Sequence, residues 1–421
     1  MNPNQRPQFI RLVIALEAVV LAAFLFLLTP VGKGMAVSGT AKSKEGEQGE
    51  NGLEGTLASE EGGGAREKEK KDYIKWVDFN VTKEAMEQAF RYDVDTCQAE
   101  IHLDWIQLLA YLGARYGGDF SKYKASDMEA IAERILAGEK MEEITADMKY
   151  YSYYHEAYTA VLGGMVGVFE AEIPASQAPA FALQENQESD QDQGSEQSQS
   201  AEKGQSTEQN TGEQTVWVTK YGLKAFSPIA KNYPYHDYDD FGVARSYGFK
   251  RQHLGHDMMG QVGTPVIAVE SGYVEVMGWN QYGGWRLGIR SFDGKRYYYY
   301  AHLRKNYPYH KTLQEGSIVQ AGDVIGYLGR TGYSRTENTN NIDEPHLHFG
   351  MQLIFDESQK EGNNEIWIDC YEITRFLALH RSETVKDQET KEYYRVYQMR
   401  DPAIPGGAVE QRIPQKEQQT Q

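Results

Sequence analysis

The sequence predicts a multidomain α + β protein: an N-terminal membrane anchor, a small all-α domain, and a C-terminal, mainly antiparallel β domain. Three observations predict it. An apolar run of roughly bilayer-spanning length stands near the start. Two polar low-complexity stretches divide the remainder. Between those stretches the pattern is helical, whereas beyond the second it turns into short β runs punctuated by glycine.

Residues 1–8 form a short cytoplasmic start, and residues 9–29 the anchor. Phe9 to Leu28 reads FIRLVIALEAVVLAAFLFLL, with Arg6 and Arg11 at its beginning and Glu17 as its one acidic residue. A basic start favours a cytoplasmic N-terminus and export of everything that follows. A cleaved signal peptide is the rival reading. The following TPVGKGMAVSG lacks a clean A-x-A site, although Gly34 to Ala36 are small. Residues 30–71, rich in Gly, Glu, Lys and Ser, hold too little apolar surface to offset chain entropy and read as a flexible stalk.

Residues 72–173 read as a small helical domain. Leu103, Ile106, Leu109 and Leu112 recur at three-residue steps ahead of Gly117-Gly118, the pattern of a buried helix with a glycine stop. Ser126, three residues before Glu129, suggests a capping box opening a second helix through Met128, Ile131, Ile135 and Leu136, with Gly138 beyond it. One or two more helices are expected from Met141 to Gly167. His102 and His155 stand alone and suggest no chemistry, and the tyrosines between Tyr150 and Tyr158 suit packing or a stacking surface. Residues 174–215 form an acidic low-complexity linker, and residues 401–421 a polar, frayed tail.

Residues 216–400 carry the β pattern. TPVIAVESGYVEVMGW reads as two strands around Ser271-Gly272, and RLGIRSFDGKRYYYYAHL as a hairpin with Asp293-Gly294 at its tip. The net charge of −18 argues against nucleic acid as a partner, since phosphate neutralisation needs clustered Lys and Arg. Cys97 and Cys370 belong to no CxxC pair and read as buried free thiols, with a disulfide between them as the alternative.

The chemistry concentrates in this β region. His253 and Asp257 are four apart, so an extended segment turns both to one face, with Gly255 clearing the space between them. His346 and His348 share a face in the same way, with Leu347 turned to the core. His302 ends a hairpin strand. Two or three His with an Asp on strands make a candidate metal site. A catalytic zinc takes three N or O ligands and keeps one position open. A further histidine near neutral pKa suits general-base work. His256 and His310 read as ordinary surface or loop histidines.

HLGHD, GTPVIAVESGYV, YAHL, QAGDVIGYLGRTG and HLHFG, in that order between Phe241 and Leu353, resemble the lysostaphin/LytM-type zinc endopeptidases. The resemblance implies that His253, Asp257 and His348 bind Zn2+ and that His302 and His346 flank the catalytic water and the oxyanion. It implies a β-rich fold with a groove above one sheet, peptidoglycan as substrate, and cleavage of peptide bonds in stems or cross-links. Together with the anchor, it points to a single-pass protein of the cytoplasmic membrane with its bulk outside. The helical domain carries no such resemblance, and binding an envelope protein partner is one role open to it. The segment YSRTENTNNIDEP is longer than the turn expected there and leaves substrate preference open. The alternatives are a non-hydrolytic envelope or sporulation scaffold on the same fold, or a zinc amidase or carboxypeptidase. All five motif residues are present, which favours an active endopeptidase.

Overall fold

The structure, a computed structural model, describes residues 76–77, 79–178, 214–246, 250–360, 365–407 and 410–413. The expected anchor and stalk, most of the acidic linker and the last residues of the tail lie outside them. Among the described residues, no helix is long and apolar enough to cross a membrane.

The first part is helical, as its periodicity predicts. Helix α1 spans Lys83–Thr96, capped by the Thr82 hydroxyl accepting from Ala85 N–H. Helix α2 spans Trp105–Tyr116, capped by Asp104 and ended by Gly117 in the left-handed region. Leu103, Leu109 and Leu112 are buried, as expected from their spacing. Helix α3 (Ala125–Leu136) starts two residues earlier than a Ser126 cap requires, and no side chain caps it. The capping box is therefore absent. Asp127 is held in the first turn by Tyr116 Oη (2.8 Å) and Arg115 (3.0 Å), which places Ser126 inside the helix. Helices α4 (Met141–Ile144) and α5 (Tyr151–Leu162) complete this part. His102 is not isolated: it lies 3.1 Å from the buried carboxylate of Asp93, which also accepts from Trp105 N–H and Tyr221 Oη.

In chain order the strands are β1 (Trp76–Val77), β2 (Val166–Pro174), β3 (Thr215–Leu223), β4 (His236–Asp237), β5 (Ala244–Ser246), β6 (Lys250–Gln252), β7 (His256–Met259), β8 (Pro265–Ile267) and β9 (Gly272–Asn280). They continue with β10 (Gly284–Ser291), β11 (Arg296–Ala301), β12 (Ile318–Val319), β13 (Val324–Tyr327), β14 (His346–Leu353), β15 (Ile366–Ile368), β16 (Thr384–Lys386), β17 (Tyr393–Arg395) and β18 (Met399–Arg400). The main sheet runs β1-β15-β14-β11-β10-β9-β12, with β7 added to β14 and β4 to β7. Its β9, β10, β11 and β14 pair antiparallel, the architecture expected for this region. The β10–β11 hairpin turns at Gly294, whose φ of 74° suits a residue without Cβ. The extension after HLHFG adds β15 and a short helix, α6 (Tyr371–Leu377).

Two segments differ from expectation. Val166–Pro174, assigned from sequence to the helical domain, is a strand that pairs with β3 along its whole length, from Val166↔Leu223 to Pro174↔Thr215. Its partner lies across the acidic linker, so local periodicity could not announce it. The two described ends of the linker thus lie side by side. The described part of the tail, 401–407 and 410–413, is not wholly frayed. Gln411 hydrogen-bonds both backbone groups of Val324, and Arg412 pairs with the buried Glu172 at 3.2 Å.

The helical part and the β part share one hydrophobic core. Phe376 of α6 meets Phe90 of α1 and Trp105 of α2, each at 5.9 Å between ring centroids. The buried Arg296 of β11 reaches Ala160 O in α5 at 3.1 Å while pairing with Glu270 and Asp293.

Candidate active site

Strand β14 positions the centre. Its first half pairs with β7 and its second half with β15, both on the edge away from β11. The β7 ladder sets His348 directly opposite Asp257, and side chains of opposed residues share a face. His253 precedes β7 in irregular backbone rather than in a strand, and it still turns its ring to the same point. His253 Nε2, Asp257 Oδ1 and His348 Nδ1 form a triangle with sides of 3.1, 2.8 and 3.1 Å. Gly255 makes this approach feasible: a Cβ there would lie 2.6 Å from the His348 ring and 2.8 Å from Phe349 O.

The triangle suits a small divalent cation. Ligands ~2.0–2.1 Å from a tetrahedral centre stand about 3.3 Å apart, close to the observed sides. Two imidazoles and one carboxylate are the donor set that such a cation prefers. His253, Asp257 and His348 could hold a metal ion, as the sequence predicts.

The other two predicted residues face the same point. His302 follows β11 with φ 60°, and its Nδ1 lies 2.9 Å from Thr331 O. Nδ1–H therefore donates to that carbonyl, and Nε2 carries the free lone pair of the neutral ring. His346 Nδ1 likewise lies 2.8 Å from Glu344 O, and its Nε2 lies 3.8 Å from Asp257 Oδ1. The His302 and His346 rings are 4.8 Å apart, and those of His302 and His348 5.8 Å. The five predicted residues thus converge on one site.

The surroundings set their protonation. Burial, reinforced by His346 and His348, holds the His302 pKa well below the ordinary histidine value, so this ring is neutral. Burial lowers His348 to about 4, against the pull of Asp257. Burial would lower His253 too, but its bonds to Asp240 and Asp257 carry it above the ordinary value. Burial would raise Asp257, yet His253 and His348 hold it well below the carboxylate range.

Two residues of the site carry no motif signal. Asp240 Oδ1 lies 3.0 Å from His253 Nδ1, so it fixes the tautomer that presents Nε2 to the centre. Arg245 Nη1 donates to Asp257 Oδ2 at 2.7 Å and also pairs with Asp240. With Oδ2 engaged, Asp257 offers Oδ1 alone. The β5–β6 hairpin delivers Arg245, and no spacing relative to His253 marks either residue in advance. His256 and His310 lie outside the site. Contrary to expectation they are buried, His256 against Thr374 Oγ1 (2.7 Å) and His310 against Thr312 Oγ1 (2.8 Å).

Beside the centre opens a groove of about 480 Å³ above the main sheet, lined by His253 and His348 at one end and by Tyr297, Tyr299, Arg286 and Trp367 along its length.

Residues 251–362 match the model of Peptidase family M23. The L-Ala–D-Glu endopeptidase of Bacillus subtilis is 40% identical over 124 residues, which are 30% of this chain and 36% of that protein. Lysostaphin of Staphylococcus simulans is 39% identical over 98 residues, 23% of this chain and 17% of that protein. The chain thus spans about a third or less of the length of these relatives. Among solved structures, the Ruminococcus gnavus lytM crystal structure is 20% identical with a TM-score of 0.40, covering 74% of this chain and 92% of that one. The lysostaphin catalytic domain is 31% identical with a TM-score of 0.25, covering 34% of this chain and 93% of that one. The chain carries a peptidase family M23 domain, homologous to that endopeptidase and to lysostaphin.

Proposed function

We propose that this M23 domain is a zinc endopeptidase hydrolysing peptide bonds of peptidoglycan. The observation that carries the reading is the convergence of His253, Asp257, His348, His302 and His346 on one point beside a groove. A bound zinc supplies Lewis acidity, polarising a carbonyl and acidifying water. His253 and Asp257 hold their ligand atoms in place through Asp240 and Arg245, so little reorganisation accompanies binding. The neutral His302 presents Nε2 as a proton acceptor, with Nδ1 anchored on Thr331 O. Once it has taken up a proton, an imidazole at this position donates toward a developing oxyanion or a leaving amine. His346 Nε2, on the other flank, has the same capability.

The names of the relatives, an L-Ala–D-Glu endopeptidase and a glycyl-glycine endopeptidase of Staphylococcus capitis, support peptidoglycan peptides as the substrate class. The apolar segment Phe9–Leu28 with its basic start supports a single-pass membrane anchor and an extracytoplasmic bulk. An envelope protein bound through the helical part belongs to the same proposal. The test is digestion of purified peptidoglycan by the zinc-loaded chain, with and without chelator, read by mass spectrometry of released muropeptides. Chelator-sensitive release of new amino termini is expected. Intact sacculi under both conditions would favour the non-hydrolytic scaffold.

A further inference from the structure

The groove beside the centre contains one cation, Arg286, that has no carboxylate partner among the described residues. The antiparallel ladder of β10 and β11, carried one step past Leu287↔Tyr300, sets Arg286 beside Ala301, and Ala301 is paired with His348 on β14. Arg286 and His348 therefore share a face two strands apart, about 10 Å across the sheet. Both line the groove. Among the described residues no carboxylate lies within ion-pair distance of Arg286, and its Nε is buried without a hydrogen-bond partner. The neighbouring charges are spoken for. Lys360, also in the groove, pairs with Glu275 and Glu357, and Arg290 pairs with Glu275. Glu365, the sole carboxylate among the described lining residues, accepts the indole N–H of Trp367.

A half-buried arginine that lines the groove and has no carboxylate partner among the described residues is matched by an anion that arrives with the substrate. An extended peptide advances about 3.3 Å per residue. Arg286 thus reaches a group within roughly three residues of the bond at the centre, on one side of it. We propose that Arg286 is a specificity-determining residue that reads a free carboxylate of the peptide stem. The substrate class is then an acidic stem peptide, with a D-Glu α-carboxylate as the fitting group, and not an uncharged glycine bridge. This rests on the hydrolytic reading of the site given above.

The test compares three synthetic peptides with the full chain: L-Ala–γ-D-Glu–L-Lys–D-Ala, the same peptide with the D-Glu α-carboxylate as carboxamide, and pentaglycine. Wild type should favour the carboxylate peptide over the carboxamide by about 10- to 100-fold in kcat/KM, the range of a charge-assisted hydrogen bond. R286Q should lose that ratio through the carboxylate peptide alone, with zinc content unchanged, and R286K should recover part of it. Calorimetric binding of the same peptides is the second readout. A wild-type ratio near one, equal losses on both peptides in R286Q, or preferred cleavage of pentaglycine would overturn the assignment. If no peptide is cut but binding still depends on the carboxylate and on Arg286, hydrolysis fails and the carboxylate site stands. If binding ignores the carboxylate, the site fails whether or not peptides are cut.

Discussion

At the scale of single residues, the site separates ligands from the groups that aim them. Asp240 touches no reacting atom, yet its carboxylate sits on the far nitrogen of His253. Replacing such a partner typically weakens metal binding about 10- to 100-fold. We therefore expect Asp240→Asn to lower zinc affinity by that factor in a competition titration with a chromophoric chelator. His302→Gln should behave in the opposite sense, keeping zinc affinity while hydrolysis falls about 10²- to 10⁴-fold, the usual share of a general base. Zinc loss in the His302 variant would place that ring among the ligands instead. His346 and His348 were legible in the sequence because a strand fixes side-chain direction: the H-x-H of β14 needs only the two-residue repeat of a strand to bring both to one face. Asp240 and Arg245 were not legible, since a hydrogen bond between side chains on a loop and a hairpin obeys no sequence period.

At the scale of elements, helices were readable and their starts less so. The periodicity of Leu103, Leu109 and Leu112 announced α2, because a stripe facing a core repeats whatever that core is. The start of α3 depended on Asp127 being held by Tyr116 and Arg115 from another helix, which overrode the local Ser126 signal. This yields a contrast among caps. Thr82→Ala and Asp104→Ala remove side chains that accept helix N–H groups and should each cost about 1 kcal/mol. Ser126→Ala removes no cap and should stay within about 0.5 kcal/mol of wild type. Urea midpoints of the three variants measure this, and a Ser126→Ala loss equal to the others would restore the capping box. Strand β2 shows the limit of local reading. Its identity comes from β3, whose partner residues lie on the far side of a polar segment.

At the scale of the whole molecule, two consequences follow from shared burial. The first concerns acid. Burial lowers His380, stacked on Phe226, and His348 to about 4, and it lowers His302 and His310 as well. With an unfolded value near 6.5, such groups bind more protons when the chain unfolds, so stability falls as pH drops from about 6.5 toward 4. His253 works oppositely: its raised folded value stabilises at low pH and that contribution is lost as pH rises through it. Four lowered rings outweigh one raised ring. The two rings lowered to about 4, His348 and His380, each contribute at most about 3 kcal/mol. The chelator-treated chain should therefore show a lower urea midpoint at pH 4.5 than at pH 7, and an unchanged midpoint would contradict the burial-based protonation.

The second consequence concerns the helical part, which the sequence suggested as a separate domain. A fragment of residues 214–413 would lose β2 from the edge of β3, the Phe90 and Trp105 rings from Phe376, the Ala160 carbonyl from Arg296, and the Lys83 N–H from Glu372. Phe376 is fully buried in the chain, and exposing such a side chain costs about 1.5–3 kcal/mol. Removing the carbonyl from a buried guanidinium adds a penalty of about 1–3 kcal/mol. Together these reach only the lower end of the stability of an ordinary domain, about 5–15 kcal/mol, which is still enough to matter. We expect the fragment to unfold at a markedly lower temperature than residues 72–413, with a shallower denaturant slope because less surface is buried to begin with. Zinc should narrow the gap, since a ligand of the folded state stabilises it by mass action. Equal midpoints and slopes for the two chains would mean that the helical part adds nothing to the stability of the peptidase. The contacts across the shared core would then be a surface of association between two independently stable units.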